Sequence, residues 1–441
     1  MLRRRAWLAV ALVVGVCAAA CTPTWLTYHR DNSRTGADAS GPATPVGVAW
    51  TSAFLDQFPY TEPVVYENRV YVATENNTVY ALDLGTGNLV WSRHLVQPFT
   101  QVVTQCMYDV NPVGITGTPV IDPSTNILYV VVETGPTAGH ALVGLDTATG
   151  DGRVLASGDP AGANTSTLWN RTALTLGNGR LYWGYLGADC NSYQGTMVSV
   201  KTDGSSPVYY QIPGFRGSFW APSGAAIDAD GNVWAASGSG GQVDPTKPDR
   251  TTSLLEFSPT LQLLAYFTPS NWTTLNSTGQ ELGSAGPSLL PNGVAFIAGK
   301  NKEAFLVSEA TPGGVSNGVA SFNTNCRSFG GDSTNGDIVY MPCEDGMLAL
   351  SVSGSPPTLT QLWKGPSDSN GPPVYGGSAV WVMSVDTGIL YALNPSNGAP
   401  LQSIQLVAGE KARHFTTPTV AGDTVLVATE HHVVAVRHVS G

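Results

Sequence analysis

The sequence predicts an all-β ring, an eight-bladed β-propeller of four-stranded antiparallel blades, on three observations. A four-strand meander is legible in residues 62–91, its strand entries recur along the whole chain, and the composition suits a turn-rich β protein. In the meander, Pro63-Val64-Val65-Tyr66, Arg69-Val70-Tyr71-Val72-Ala73, Thr78-Val79-Tyr80-Ala81-Leu82 and Asn88-Leu89-Val90-Trp91 follow in order. Glu67-Asn68, Glu75-Asn76-Asn77 and Gly85-Thr86-Gly87 supply the turns. Alternating β-branched and aromatic runs joined by loops this short form antiparallel strands. One such sheet cannot bury both faces, so it must stack against copies of itself.

The copies follow. Thr61-Glu62-Pro63-Val64 is echoed by Thr116-Gly117-Thr118-Pro119-Val120, Ser284-Ala285-Gly286-Pro287-Ser288, Gly371-Pro372-Pro373-Val374 and Thr416-Thr417-Pro418-Thr419-Val420. Proline is tolerated at a strand's first residue, where no ladder donor is needed. Two entries are degenerate, Asn170-Arg171-Thr172-Ala173 and Ala221-Pro222-Ser223-Gly224, and Ser328-Phe329-Gly330-Gly331 lacks the proline. The third-strand ending Ala81-Leu82 recurs at Ala392-Leu393, Gly144-Leu145 and Ala349-Leu350. Repeat starts therefore fall near residues 61, 116, 171, 221, 284, 328, 371 and 416, eight blades with seven as the alternative count. The last repeat has two strands after its entry, Val425–Ala428 and Val433–Val436, and Val46–Trp50 has the character of its missing outer strand. Closing the ring with strands from both chain ends covers edges that invite aggregation.

Fifty glycines and thirty prolines without a collagen period agree with this reading. No amphipathic helix pattern stands out. The expected organisation is a signal peptide over 1–20, an N-terminal segment over 21–45 and one propeller over 46–441.

Arg3-Arg4-Arg5 followed by the apolar run Ala6 to Val16 reads as an export signal, too short to span a membrane. Ala18-Ala19-Ala20 and then Cys21 resemble the cleavage and lipidation site of a bacterial lipoprotein, although Ala18 stands where leucine is usual. With Cys17 removed and Cys21 lipidated, Cys106, Cys190, Cys326 and Cys343 are left to form two disulfides in an oxidising compartment. Of three pairings, Cys326–Cys343 is favoured because the two flank neighbouring strands of one blade, and Cys106–Cys190 then follows. The expected location is the cell envelope or the medium, with membrane association through the lipid anchor only. The mature chain has 18 basic against 32 acidic residues, a net charge of about −14, which argues against a nucleic-acid partner.

Val70 to Trp91 resembles the repeat of the quinoprotein-like, PQQ-repeat propellers, in which a blade ends in Ala-Leu-Asp, a Thr-Gly turn and a docking tryptophan. Trp25 to Gly36 is similar to the segment that precedes the first blade in exported members, and the likeness covers roughly residues 24–438. The resemblance implies that Trp50, Trp91 and Trp363 pack between blades. It implies two functions: a non-catalytic scaffold or binding protein, or an oxidoreductase that uses PQQ and calcium on an alcohol or sugar. PQQ, a planar anionic quinone, needs flat apolar faces, cationic partners and a hard cation held by carboxylate and amide oxygens. The adjacent cysteine pair frequent in catalytic members is absent, as is a Cys-x-x-Cys-His haem motif. A glycan-active propeller is a third reading that eleven tryptophans permit.

The expected function is a binding or scaffold protein taking a protein partner or a small ligand at the envelope, with no catalytic or metal residues. Asp228-Ala229-Asp230-Gly231-Asn232 begins like a calcium loop, but its twelfth position is Ser239, so a hairpin turn is expected. Lys300 is expected on a surface turn, Asp244, Lys247, Asp249 and Arg250 in a solvated loop, and His431-His432 at an edge or turn. Ligands of propellers collect at a channel mouth. Residues at the innermost-strand entries, Glu62, Thr118, Arg171, Trp220, Ser284, Asp332, Pro372 and Thr417, should ring that mouth. Arg171, Trp220 and Asp332 are the candidates there, offering a cation, a stacking face and a carboxylate.

Overall fold

The computed structural model describes residues 22–100, 110–135, 139–187, 193–241, 244 and 246–439. The leader, Cys21, Cys106 and Cys190 lie outside the described residues, so the lipidation and Cys106–Cys190 expectations fall there. Eight antiparallel sheets of four strands form the ring, three of them with one added strand. The innermost strands are Val64–Tyr66, Val120–Asp122, Thr175–Gly177, Ala226–Ile227, Ser288–Leu290, Ser333–Asn335, Val374–Gly376 and Thr419–Ala421, defining blades 1 to 8. Each starts three to five residues after its repeat start. Val46–Thr51 pairs antiparallel with Val433–His438 as the outer strand of blade 8, which closes the ring as expected.

The blades are held together by apolar faces. Val64, Tyr71 and Ala81 of blade 1 pack on Ile121, Leu128 and Val130 of blade 2, all fully or nearly buried. Each of the three expected tryptophans docks on the next blade. The Nε1 of Trp50, Trp91 and Trp363 donates to the carbonyls of Leu84, Thr147 and Pro395 at 3.0, 3.0 and 2.8 Å. Each indole lies over a turn glycine, Gly87, Gly150 or Gly398, at φ of 73°, 73° and 70°. A Cβ there would stand 2.4, 2.6 or 2.4 Å from the indole Cε3, so the Thr-Gly and Asn-Gly turns serve the tryptophan as well as the backbone.

The N-terminal segment does more than lead into the ring. Trp25 exchanges two backbone bonds with Val65, and the amides of Ile121, Ile227, Leu289, Thr334 and Tyr375 donate to the carbonyls of Leu26, Asn32, Ser33, Thr35 and Gly36 at 2.7 to 2.9 Å. Blade 3 is reached by side chains, with the Thr27 hydroxyl on the Leu174 carbonyl and the Asn32 amide on the Leu176 carbonyl. Innermost strands of a propeller are sheet edges with unpaired amides. Residues 25–36 satisfy them one blade after another and plug the channel at the end where those strands finish.

Two expectations need correction. A short helix, Trp272–Thr278, lies between blades 4 and 5, ended by Gly279 in the left-handed conformation. Cys326 and Cys343 are bonded as expected, but not within one blade. Cys326 lies on the connection from blade 5 to blade 6, after Ala320–Asn323, and Cys343 follows the second strand of blade 6, Ile338–Met341. The bridge therefore fastens an inter-blade connection, beside an Arg327–Glu344 ion pair.

A candidate site at the channel mouth

Opposite the plug, entry loops and second turns of blades 3 to 6 and the entry loop of blade 8 enclose a cavity of about 610 Å³. Blade 3 contributes Trp169 and Arg171, blade 4 Trp220 and Ser239, blade 5 Glu281 and Lys300, blade 6 Phe329, and blade 8 His414 and Phe415. The Arg171 guanidinium carbon lies 4.3 Å from the Phe415 ring centre, 5.3 Å from Trp169 and 6.0 Å from Trp220. Lys300 Nζ is 4.7 Å from the Trp220 ring and 6.0 Å from Phe329. Two cations thus share one aromatic lining, an arrangement in which ring quadrupoles help hold the charge.

Buried partners position this lining. Trp169 Nε1 donates to the Thr116 hydroxyl at 3.0 Å. Behind it, Glu75 accepts the Gly114 amide at 2.7 Å. Burial pushes the Glu75 carboxyl up to about 8, against the opposing pull of the Gly114 amide, the Thr116 hydroxyl and the Arg171 charge. Glu281 is the only carboxylate lining the cavity among the described residues. It is nearly buried and already engaged, accepting Lys300 Nζ at 2.6 Å and the Ser239 hydroxyl at 3.0 Å.

The expected ring of entry residues splits into two levels. Arg171 and Trp220 come together in the cavity, four and six residues ahead of their strands. Asp332, one residue ahead of Ser333, does not join them. At ~3.3 Å per residue that offset places it about 10 Å deeper. It is fully buried beside the plug, where its carbonyl meets His29 Nδ1 at 3.0 Å and burial raises its carboxyl far above the usual range. Glu62 is on the same level and accepts Trp25 Nε1 and the His29 amide, both at 2.8 Å. Burial raises the Glu62 carboxyl too, despite those bonds. Thr118 accepts the Glu62 amide, Thr417 bonds the Tyr28 hydroxyl, Ser284 donates to the Ser328 carbonyl, and Pro372 packs on Gly330. These residues hold the plug and close the channel.

Lys300 was expected on a surface turn and instead faces the cavity. Glu281, Phe329, His414 and Phe415 carried no sequence signal beyond the departure of their loops from the repeat. Asp228–Asn232 forms the expected hairpin, with the Asp228 amide on the Asn232 carbonyl at 3.0 Å. His431 and His432 are a turn pair, His431 stacked on Phe54 and His432 bonded to Glu410 at 2.7 Å. Arg250 lies 3.6 Å from the Tyr266 ring centre, so the loop expected to be solvated is partly tied back.

A separate polar cluster is buried between blades 2 and 3. His140 Nδ1 bonds Asp159 at 2.7 Å and its Nε2 lies 3.5 Å from Glu133, with the Tyr185 ring tilted against it at a 4.6 Å centroid distance. Burial opposes a charged ring there, yet the two carboxylates prevail and raise the imidazole to about 9.

The cavity's chemistry fits one part of what the resemblance implies. A planar anion would find flat apolar faces, the Arg171 guanidinium and a Lys300 ammonium that it would share with Glu281. A hard cation would not find its donor set, because the single lining carboxylate is bonded to Lys300.

Residues 43–246 match the PQQ-repeat family described as outer membrane protein assembly factor BamB. None of the curated proteins matches in sequence. Among solved structures, quinohemoprotein alcohol dehydrogenase from Comamonas testosteroni is similar over 96% of this chain and 82% of its own, at 15% identity and a TM-score of 0.69. BamB from Moraxella catarrhalis is similar over 89% of this chain and 99% of its own, at 12% identity and a TM-score of 0.60. A europium-containing methanol dehydrogenase is similar over 94% and 98%, at 11% identity and 0.65. At such identities the likeness is one of fold. With its eight repeats and docking tryptophans the chain is an eight-bladed β-propeller that shares the fold of these proteins and, over residues 43–246, matches the PQQ-repeat family.

Proposed function

We propose that this chain is an exported, lipid-anchored, non-catalytic binding propeller of the cell envelope, and that its channel-mouth cavity takes an anionic group attached to a flat apolar one. The group belongs to a small ligand or to a segment of a partner protein. One observation carries the reading: Arg171 and Lys300 lie on a shared aromatic lining with one described carboxylate, Glu281, bonded to Lys300, so the lining keeps a net positive charge. Export is supported by the basic and apolar leader and by the Cys326–Cys343 bridge. The alternative, a PQQ- and calcium-dependent oxidoreductase acting on an alcohol or sugar, is favoured by the fold likeness to alcohol and methanol dehydrogenases. It is disfavoured by the missing donor set for the cation.

The test is a pair of assays on protein lacking residues 1–21. With PQQ added, the reading expects any rise in thermal midpoint to be independent of calcium, and no dye-linked oxidation of alcohols or sugars. A calcium-dependent shift accompanied by turnover would replace it with the oxidoreductase.

A further inference from the structure

Every innermost strand runs from the cavity to the plug. In blade 8, Phe415 lines the cavity, Thr419–Ala421 is the strand, and the Gly422-Asp423 turn stands at the far end. Pro23 lies against that turn, since a Cβ on Gly422 would meet its Cγ at 2.9 Å. The chain remains on this face until it joins the ring. Gly41 packs on the Gly376-Gly377 turn of blade 7, His438 Nδ1 lies 3.0 Å from the Ala43 carbonyl, and the Val439 amide donates to the Pro45 carbonyl at 3.1 Å. Between these points the chain is fastened blade by blade through its backbone, so its N-terminal end cannot swing round to the mouth without breaking the plug.

Cys21 stands two residues before Pro23, a reach of at most about 7 Å. We infer that the plug face of the propeller lies against the bilayer and that the Arg171–Lys300 cavity opens away from it. The inference rests on the lipid anchor at Cys21 given under the proposed function. A tether this short leaves no room for the ring to turn over. The bilayer surface that fits is a zwitterionic one, because the turns of this face carry Glu67, Asp83, Asp122, Asp337 and Asp423, which an anionic surface would repel. The cavity, across a blade of strands up to eight residues long, then lies on the order of 25 Å further out, presented to soluble ligands or partners.

The test uses the full, lipid-modified chain in phosphatidylcholine vesicles that carry a headgroup spin label. A fluorescent amino acid is placed singly at Thr125 or Asp337, on exposed turns of the plug face, or at Ser277 or Asp345, exposed on the mouth side. Quenching at the first two positions at least twofold stronger than at the second two is expected. Equal quenching, or the reverse order, from protein whose N-terminal peptide carries lipid by mass spectrometry would overturn the orientation. An unmodified Cys21 with no vesicle binding would overturn the anchor itself, and the orientation with it.

Discussion

Replacing Arg34 by methionine probes the plug at its most connected residue. Its side chain is 1% exposed and donates from Nε to the Ala225 carbonyl at 3.0 Å and from Nη1 to the Thr27 hydroxyl and Tyr28 carbonyl at 2.9 and 2.8 Å. Nη2 donates to the Thr175 hydroxyl. Burial lowers the guanidinium to about 10 against the attraction of Asp31, Glu62 and Tyr28, so the group is held as a cation by these contacts. Methionine keeps most of the stem volume and removes the donors. The Ala225 carbonyl retains the Thr175 hydroxyl at 2.8 Å and the Thr27 hydroxyl retains Leu174, which leaves the Tyr28 carbonyl stranded. One stranded buried acceptor and the lost charge-assisted bonds together amount to about 2–4 kcal/mol. Urea denaturation gives the stability change. Hydrogen exchange at the amides of Ile121, Ile227, Leu289 and Thr334, which donate to the plug, locates it. A change under about 1 kcal/mol with unaltered exchange at those amides would refute the plug's role in holding the blades.

Trp91→Ala removes a docked indole that a large-to-small change would leave as a cavity, for a loss of about 3 kcal/mol, and Gly150→Ala should also destabilise because its Cβ would enter that ring; thermal and urea midpoints of both variants check this. His140, raised to about 9 by Asp159 and Glu133 against burial, contributes stability fully present below its unfolded value near 6.5 and lost as pH rises through about 9. Urea midpoints between pH 6 and 10 should therefore fall on the alkaline side, with a flatter fall in His140→Gln. Reducing Cys326–Cys343, which closes a 17-residue separation, should remove about 3 kcal/mol, measured by denaturation with and without reductant.

Much of the ring was legible because a strand's two-residue period and a proline at its entry are local signals, repeated every blade. The tryptophan contacts were legible for the same reason, each Trp paired with a turn glycine one repeat on. The plug was not legible. Residues 25–36 show no alternation, and their bonds join positions as far apart as Gly36 and Tyr375, so nothing local announces them. The cavity was half legible, and in an instructive way. The entries that depart from the repeat, around Arg171, Trp220 and Phe329, line it, joined by Glu281 and Phe415, which precede the regular entries of blades 5 and 8. The regular entries of blades 1 and 2, Thr61–Pro63 and Thr116–Pro119, close the channel instead. Local departure from a repeat marks the place where function overrides packing. Asp332 lies elsewhere because entry position alone does not fix depth: it stands one residue ahead of its strand where Arg171 stands four, and its backbone carbonyl meets His29 of the plug. Lys300 was misjudged because a lysine after Ala298-Gly299 looks like any turn lysine until the neighbouring blade brings Trp220 beneath it.

The claim that the channel mouth binds an anion on a flat apolar group is tested most directly by titrating the tryptophan fluorescence with 2,6-naphthalenedicarboxylate, beside its uncharged dimethyl ester. Saturable quenching by the dianion, weakened about tenfold or more in Arg171→Gln and in Lys300→Gln with the fold intact, is the predicted result, since a charge-assisted bond lost on binding is worth about 1.5–3 kcal/mol. Equal affinity in the wild type and both variants, or equal binding of the neutral ester, would contradict it.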